Sequence, residues 1–181
     1  LEYSVNCKDL DVRNHYDALA RFFRAYFYFE KIKRFGDVPW YAKPIGSADA
    51  ELNRPRDSRE YVMQRMIEDI DFAILYLPTK HDLYRITKWT ALALKSRFCL
   101  FEGTFRKYHG IDTPENDWKY YLSLSAKASE EFITNSGYGL YTSGGTQTAY
   151  RDLFVSEDAQ QIEVVLARDY NKGLSVFHNS T

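Results

Sequence analysis

The chain has 181 residues, room for one domain with a sizeable core. Hydrophobic residues make up 45% and aromatic residues 17%, which excludes a disordered chain. A formal net charge of −1 leaves no basic face for nucleic acid or an anionic membrane.

The first predicted element covers residues 15–35. Tyr16, Leu19, Ala20, Phe23 and Phe27 follow helical spacing and are expected to face the core, with Phe22, Tyr26 and Phe29 as a second apolar face. A helix apolar on two sides has to be packed on two sides, so it belongs inside a larger assembly. Lys31, Lys33 and Arg34 lie at its C-terminal end, where the helix dipole favours cations. Gly36 supplies the stop, and Pro39 prevents the helix from resuming.

Residues 41–56 read as a loop, with Pro44, Gly46 and Pro55. Asp57 is expected to cap the next helix, with Glu60 as its capping-box partner. That helix carries Val62, Met66, Ile70, Ala73, Ile74 and Leu77 on one stripe and ends at Pro78. Gln64, Glu68, Asp69 and Asp71 are expected on a solvated acidic face.

Thr87 is the expected cap of a third helix, whose stripe is Ala91, Leu94, Phe98, Phe101 and Phe105, stopped by Gly110. Cys99 falls among Phe98, Leu100 and Phe101 and reads as a small core residue. A fourth helix carries Trp118, Tyr121, Leu122, Ser125, Phe132 and Ile133. After the Gly144-Gly145-Thr146 loop, residues 162–167 are expected to form one short strand. No stretch approaches the roughly 20 apolar residues of a membrane span, and no signal peptide is read.

The helix starts near 58, 87 and 117 are compatible with an α-solenoid of helix hairpins, and equally with an irregular helical bundle. The chain opens on Leu1 and ends just after the expected strand, so it reads as a piece of a longer protein.

Several phrases carry more. Arg34-Phe35-Gly36-Asp37-Val38-Pro39 closes the aromatic helix with a turn. Arg56-Asp57-Ser58, Ile67-Glu68-Asp69-Ile70 and Leu77-Pro78 mark the second helix. Arg85-Ile86-Thr87-Lys88 and an Ala/Leu run open the third. Asp152-Leu153-Phe154 and Ile162-Glu163-Val164-Val165-Leu166 follow as a loop and a strand. In this order they resemble the helical core of the SusD/RagB family, the outer-membrane glycan-binding lipoproteins of Bacteroidetes-type bacteria. Trp89 departs from it, standing where a small residue is commoner.

The resemblance implies a mainly α fold, a tetratricopeptide-like α-α superhelix of helix hairpins with long loops, filled by residues 1–181 as a single helical-repeat core. It implies non-catalytic binding of oligosaccharide or polysaccharide at the bacterial outer surface and delivery to a SusC-like TonB-dependent transporter. It implies no cofactor and a lipid anchor outside this sequence, because no apolar segment precedes Cys7.

From the residues alone, two rivals stay open: a helical-repeat protein-interaction scaffold, and a carbohydrate-active enzyme. The second would need two carboxylates facing each other across a cleft, drawn from Glu68, Asp69, Asp71 and Glu102, whereas Glu102 reads as a salt-bridge partner. His15, His81, His109 and His178 are scattered without metal-ligand spacing. Sugar binding calls for aromatic faces and planar polar groups off the helices. Trp40, Tyr41, Tyr138 and Tyr141 meet that condition, and the preferred candidates are Tyr170, Phe177 and His178, where the chain leaves the scaffold.

Overall fold

The computed structural model describes residues 1, 3–111, 113 and 116–170. Helix α1 (Leu10–Phe35) begins five residues before the apolar pattern does, because the Asp9 side chain accepts hydrogen bonds from the Asp11 and Val12 amides. It stops at Gly36, whose φ of +68° belongs to the left-handed region. Of the two expected apolar faces, it is the second, through Phe22 and Phe29, that is buried. Ala18, Phe22, Ala25, Phe29 and Ile32 are buried, whereas Tyr16, Phe23 and Phe27 are half-exposed or more. Both faces have helical spacing. The Ala18/Ala25 side is the one narrow enough to let a second helix approach, and Arg24 beside it has its ionic partner there.

The connection from Gly36 to Ser58 is held by two aspartates that exchange backbone partners. Asp37 Oδ1 accepts the Arg59 amide at 2.8 Å, while Asp57 Oδ2 accepts the Trp40 amide at 2.7 Å. A single antiparallel bridge joins Val38 and Asp57 between them. Asp57 is thereby diverted from capping. Ser58 caps α2 (Arg59–Tyr76) instead, accepting from the Tyr61 amide. The loop also folds back on α1: the Tyr28 hydroxyl donates to the Pro39 carbonyl at 3.2 Å and accepts the Tyr41 amide at 2.7 Å.

Helix α2 ends at Tyr76, with Leu77 as its C-cap before Pro78. Thr87 and Thr90 close a reciprocal capping box at the start of α3 (Lys88–His109), which stops at Gly110, φ +62°. Asp117 caps α4 (Trp118–Asn135) by accepting from the Tyr120 amide. A short helix, α5 (Ala149–Val155), forms where a loop was expected.

The helices pack as two neighbouring pairs, α1 on α2 and α3 on α4, with α2 also against α3. Phe22, Phe29, Ile32, Met63, Met66, Ile70, Phe98 and Cys99 belong to one continuous core across the first three helices. A second cluster gathers Trp89, Leu92 and Ala128 with Phe132, Tyr138 and Val165. The large Trp89 is accommodated there, its indole N–H donating to the Thr79 carbonyl at 2.7 Å. Between α3 and α4 the contact is close because the facing residues are small: Ser96, Gly103, Ser125, Ala128 and Ser129.

No strand forms among the described residues. The expected strand at 162–167 is a turn followed by irregular backbone with a bend at Val165. Its backbone partners lie on different loops, Gly139 N to Ile162 O and Ala167 N to Leu83 O, so no ladder can build up. No described helix is long and apolar enough to cross a membrane.

Candidate functional site

The helical pairs hold their carboxylates in ion pairs. Asp69, expected on a solvated face, is buried between α1 and α2. Arg24 grips it in a fork, Nε to Oδ2 at 2.6 Å and Nη2 to Oδ1 at 2.8 Å, with Arg21 at 3.5 Å. The misreading came from period alone, since a position beside the apolar stripe is buried when a partner helix presents an arginine to it. Asp71 pairs with Lys95, and Glu68 with Arg65.

Glu102 is the expected salt-bridge partner, and it serves two arginines. Arg59 donates from Nη2 at 2.7 Å, and Arg106 from Nε at 2.8 Å. Arg106 continues to Glu60 at 2.5 Å and, through Nη1, to the Asn116 carbonyl at 2.9 Å. The Tyr121 hydroxyl donates to Glu60 at 3.1 Å. The cluster is electrically balanced, two guanidinium groups against two carboxylates. Burial works against the charged form of Arg106, but its hydrogen bonds to Glu102 and Glu60 outweigh that and raise its pKa. Burial pushes the Tyr121 phenol well above its usual range. These groups hold α2, α3 and α4 together and keep Glu60 and Glu102 in ion pairs. No group of three or more His, Cys, Asp or Glu among the described residues could hold a metal ion.

The off-helix aromatics divide. Trp40 is buried, its ring 4.2 Å from Tyr28 with Arg24 over its other side at 5.0 Å, so it is part of the core. Tyr41 is partly buried and spends its hydroxyl on the Glu51 carbonyl at 2.9 Å. Tyr138 is stacked between His81 and Phe132, with ring centroids 4.2 Å and 5.5 Å away, and burial raises its phenol pKa. Tyr170 is exposed, with the Arg168 guanidinium 5.0 Å over its ring. Phe177 and His178 lie outside the described residues.

Tyr141 borders a cleft. The segment 139–141 is tied to the 160–163 turn by Gly139 N to Ile162 O at 2.8 Å and by Tyr141 N to Glu163 Oε2 at 2.6 Å. Facing them is the Gly144-Gly145 loop leading into α5, and the space between measures about 340 Å³. Tyr150 on α5 belongs to the same cleft. Sequence reasoning missed it because a seven-residue helix with no side-chain cap carries almost no periodic signal.

Residues 1–100 match a family model described as SusD-like, starch-binding and associating with the outer membrane. The chain belongs to the SusD-like family. A SusD-like protein of Bacteroides ovatus is 28% identical over 153 residues, which cover 84% of this chain and 26% of that protein. The crystal structure of a SusD-like protein from Bacteroides fragilis, 27% identical, superposes with a TM-score of 0.62 over 80% of this chain and 25% of that one. A further crystal structure, determined with a xylogluco-oligosaccharide, is 24% identical with a TM-score of 0.63, covering 84% of this chain and 28% of its own. That last likeness is one of fold. This SusD-like chain thus spans about a quarter of the length of the relatives it matches.

Proposed function

We propose that this SusD-like chain is the helical part of a non-catalytic glycan-binding protein of the bacterial outer surface, which hands its ligand to a SusC-like TonB-dependent transporter. The observation that carries the reading is the family match over residues 1–100, whose members are described as starch-binding and outer-membrane-associated. The order of helix packing supports a tetratricopeptide-like superhelix, since consecutive antiparallel pairs joined through α2 and α3 are how such arrays begin. On this reading residues 1–181 form one helical unit, and a lipid anchor lies elsewhere in the polypeptide. Tyr170, Phe177 and His178 remain candidates for ligand contact where the chain leaves the helices.

The engagement of Asp69, Asp71, Glu68 and Glu102 in ion pairs supports a binding rather than a hydrolytic role for this part. A glycan-array screen of the full-length polypeptide, with the 181-residue chain alongside, tests the proposal. Saturable binding of an oligosaccharide without its cleavage is the expected result. Absence of binding to any sugar by the full-length polypeptide overturns it.

One observation favours a second reading, a helical-repeat interaction scaffold with no sugar ligand. The face of α1 bearing Tyr16, Phe23, Tyr26 and Phe27 is exposed and aromatic, as a protein-binding surface is. An empty glycan array would move that reading ahead.

A further inference from the structure

Resting on the glycan-binding proposal, we infer that the cleft between the Gly144-Gly145 loop and the 160–163 turn is a binding site for a neutral sugar unit, and that Glu163 selects against acidic ones. Its walls include Tyr141, Thr142, Thr146, Tyr150, Leu153 and Glu163.

The walls are set before a ligand arrives. Gly144 and Gly145 both hold positive φ, +82° and +77°. A side chain at Gly144 would also collide with Thr148 and approach Asp152. The Thr148 hydroxyl donates to the Gly144 carbonyl at 2.9 Å, and the Gly145 amide to Thr142 O at 3.1 Å, which fixes the loop onto α5. Across the cleft, the Tyr141–Glu163 hydrogen bond fixes the opposite wall. A preformed site loses little ordering entropy on binding.

The lining suits a sugar. Tyr150 is 78% exposed although its ring lies 4.9 Å from Phe154, so an aromatic face stands open to solvent beside Leu153. Such a face matches the C–H patches of a pyranose, and the Thr142 and Thr146 hydroxyls can both donate and accept. Glu163 has one oxygen occupied by the Tyr141 amide, and the other has no hydrogen-bond partner among the described residues. A carboxylate oxygen accepts strongly from a sugar hydroxyl, and it repels a uronate carboxylate brought to the same place. The volume lies at the small end of the roughly 300–1,000 Å³ range of small-molecule sites, so one unit or a chain end fits better than a long stretch of polymer.

Titration calorimetry on the full-length polypeptide tests the site, with maltoheptaose, a xylogluco-oligosaccharide and tetragalacturonate as probes. At least one neutral probe is expected to bind, and tetragalacturonate to bind more weakly. Tyr150→Ala should weaken the neutral probe about tenfold or more, a loss of ~1.4 kcal/mol. Tyr150→Phe, which keeps the ring, should stay much closer to wild type, and neither exposed change should move the melting temperature. Glu163→Gln should narrow the gap between the neutral and acidic probes. Neutral-probe binding that is unchanged by Tyr150→Ala overturns this site while the glycan-binding proposal stands. A preference for tetragalacturonate overturns the charge selection and the site with it. Failure of all three probes on the wild-type polypeptide overturns this site, and the glycan-binding proposal falls with it only where the glycan array is empty as well.

Discussion

Arg106 donates through Nε to Glu102, one helical turn earlier on α3, at 2.8 Å, and the two side chains are only 2% and 1% exposed. Neither charge can reach water, so each is tolerable only while the other is present. Glu102 also takes the Arg59 fork from α2, which makes one carboxylate the joint between the two helix pairs. Glu102→Ala should therefore lower the unfolding free energy by about 3–5 kcal/mol, the cost of stranding buried charge. Arg59→Ala should cost less, because Glu102 keeps Arg106 and the Arg59 side chain is the more exposed partner. Urea unfolding of the two variants checks the order. Equal costs would mean that stranding Arg106 adds nothing beyond the loss of the inter-helix fork.

Gly103 marks a close approach of α3 and α4. A Cβ there would lie 2.7 Å from Leu122 Cδ2 and 3.0 Å from the Trp118 carbonyl oxygen. The side chain could turn aside, but the backbone oxygen cannot without moving α4. Gly103→Ala should destabilise by about 1–3 kcal/mol despite alanine's better helix propensity. Adding Leu122→Ala should recover only part of the loss beyond its own cost, which a double-mutant cycle measures. A stabilising Gly103→Ala would show that the pair has slack.

Phe98 and Trp89 sit in the two separate apolar clusters, and each is replaced most severely by aspartate. Phe98→Asp buries a charge with no partner at a fully enclosed site, and Trp89→Asp does so while freeing the Thr79 carbonyl. Each should cost several kcal/mol and abolish the cooperative thermal transition. By contrast, Tyr108→Asp, on the open side of α3, should melt close to wild type. Circular dichroism melts compare them directly, and a Phe98→Asp protein melting like wild type would mean that the register of α3 is wrong.

The legible parts of this fold are those decided by a few neighbouring residues. Gly36, Pro78, Thr87 and Gly110 end or begin helices through their own backbone and capping chemistry, and they were readable without any partner. The parts that were not legible are decided at a distance. Which face of α1 is buried depends on α2, and Asp69 looks solvated until Arg24, 45 residues earlier, is placed beside it. Asp57 has the sequence of a cap, yet the Trp40 amide competes for it and wins. The run 162–167 has strand composition, but among the described residues no second strand lies beside it to pair with. At the candidate cleft the same division holds. Tyr141 was readable as an aromatic off the helices, whereas Tyr150 and Glu163 enter the site through tertiary contacts that no local pattern encodes.

Alkaline pH should unfold this protein through its core. Burial pushes the Cys99 thiol from its ordinary 9.0 up to about 12, a shift the Lys95 ammonium offsets only in part. Burial likewise raises the Tyr121, Tyr28 and Tyr138 phenols. All four groups are neutral when protonated, and the fold favours that form. The sign follows: the unfolded chain gives up these protons first, so stability is fully present below the unfolded pKa and falls as pH climbs towards the folded one. For Cys99 the window opens at pH 9.0 and closes near 12, with each pH step inside it costing up to ~1.4 kcal/mol. The urea midpoint should be flat near neutrality and decline above pH 9. Cys99→Ala lowers the midpoint at every pH by leaving a small void, but it should flatten the alkaline slope, because the thiol proton no longer discriminates between the states. The same slope in Cys99→Ala and wild type would assign the alkaline loss to the buried tyrosines alone.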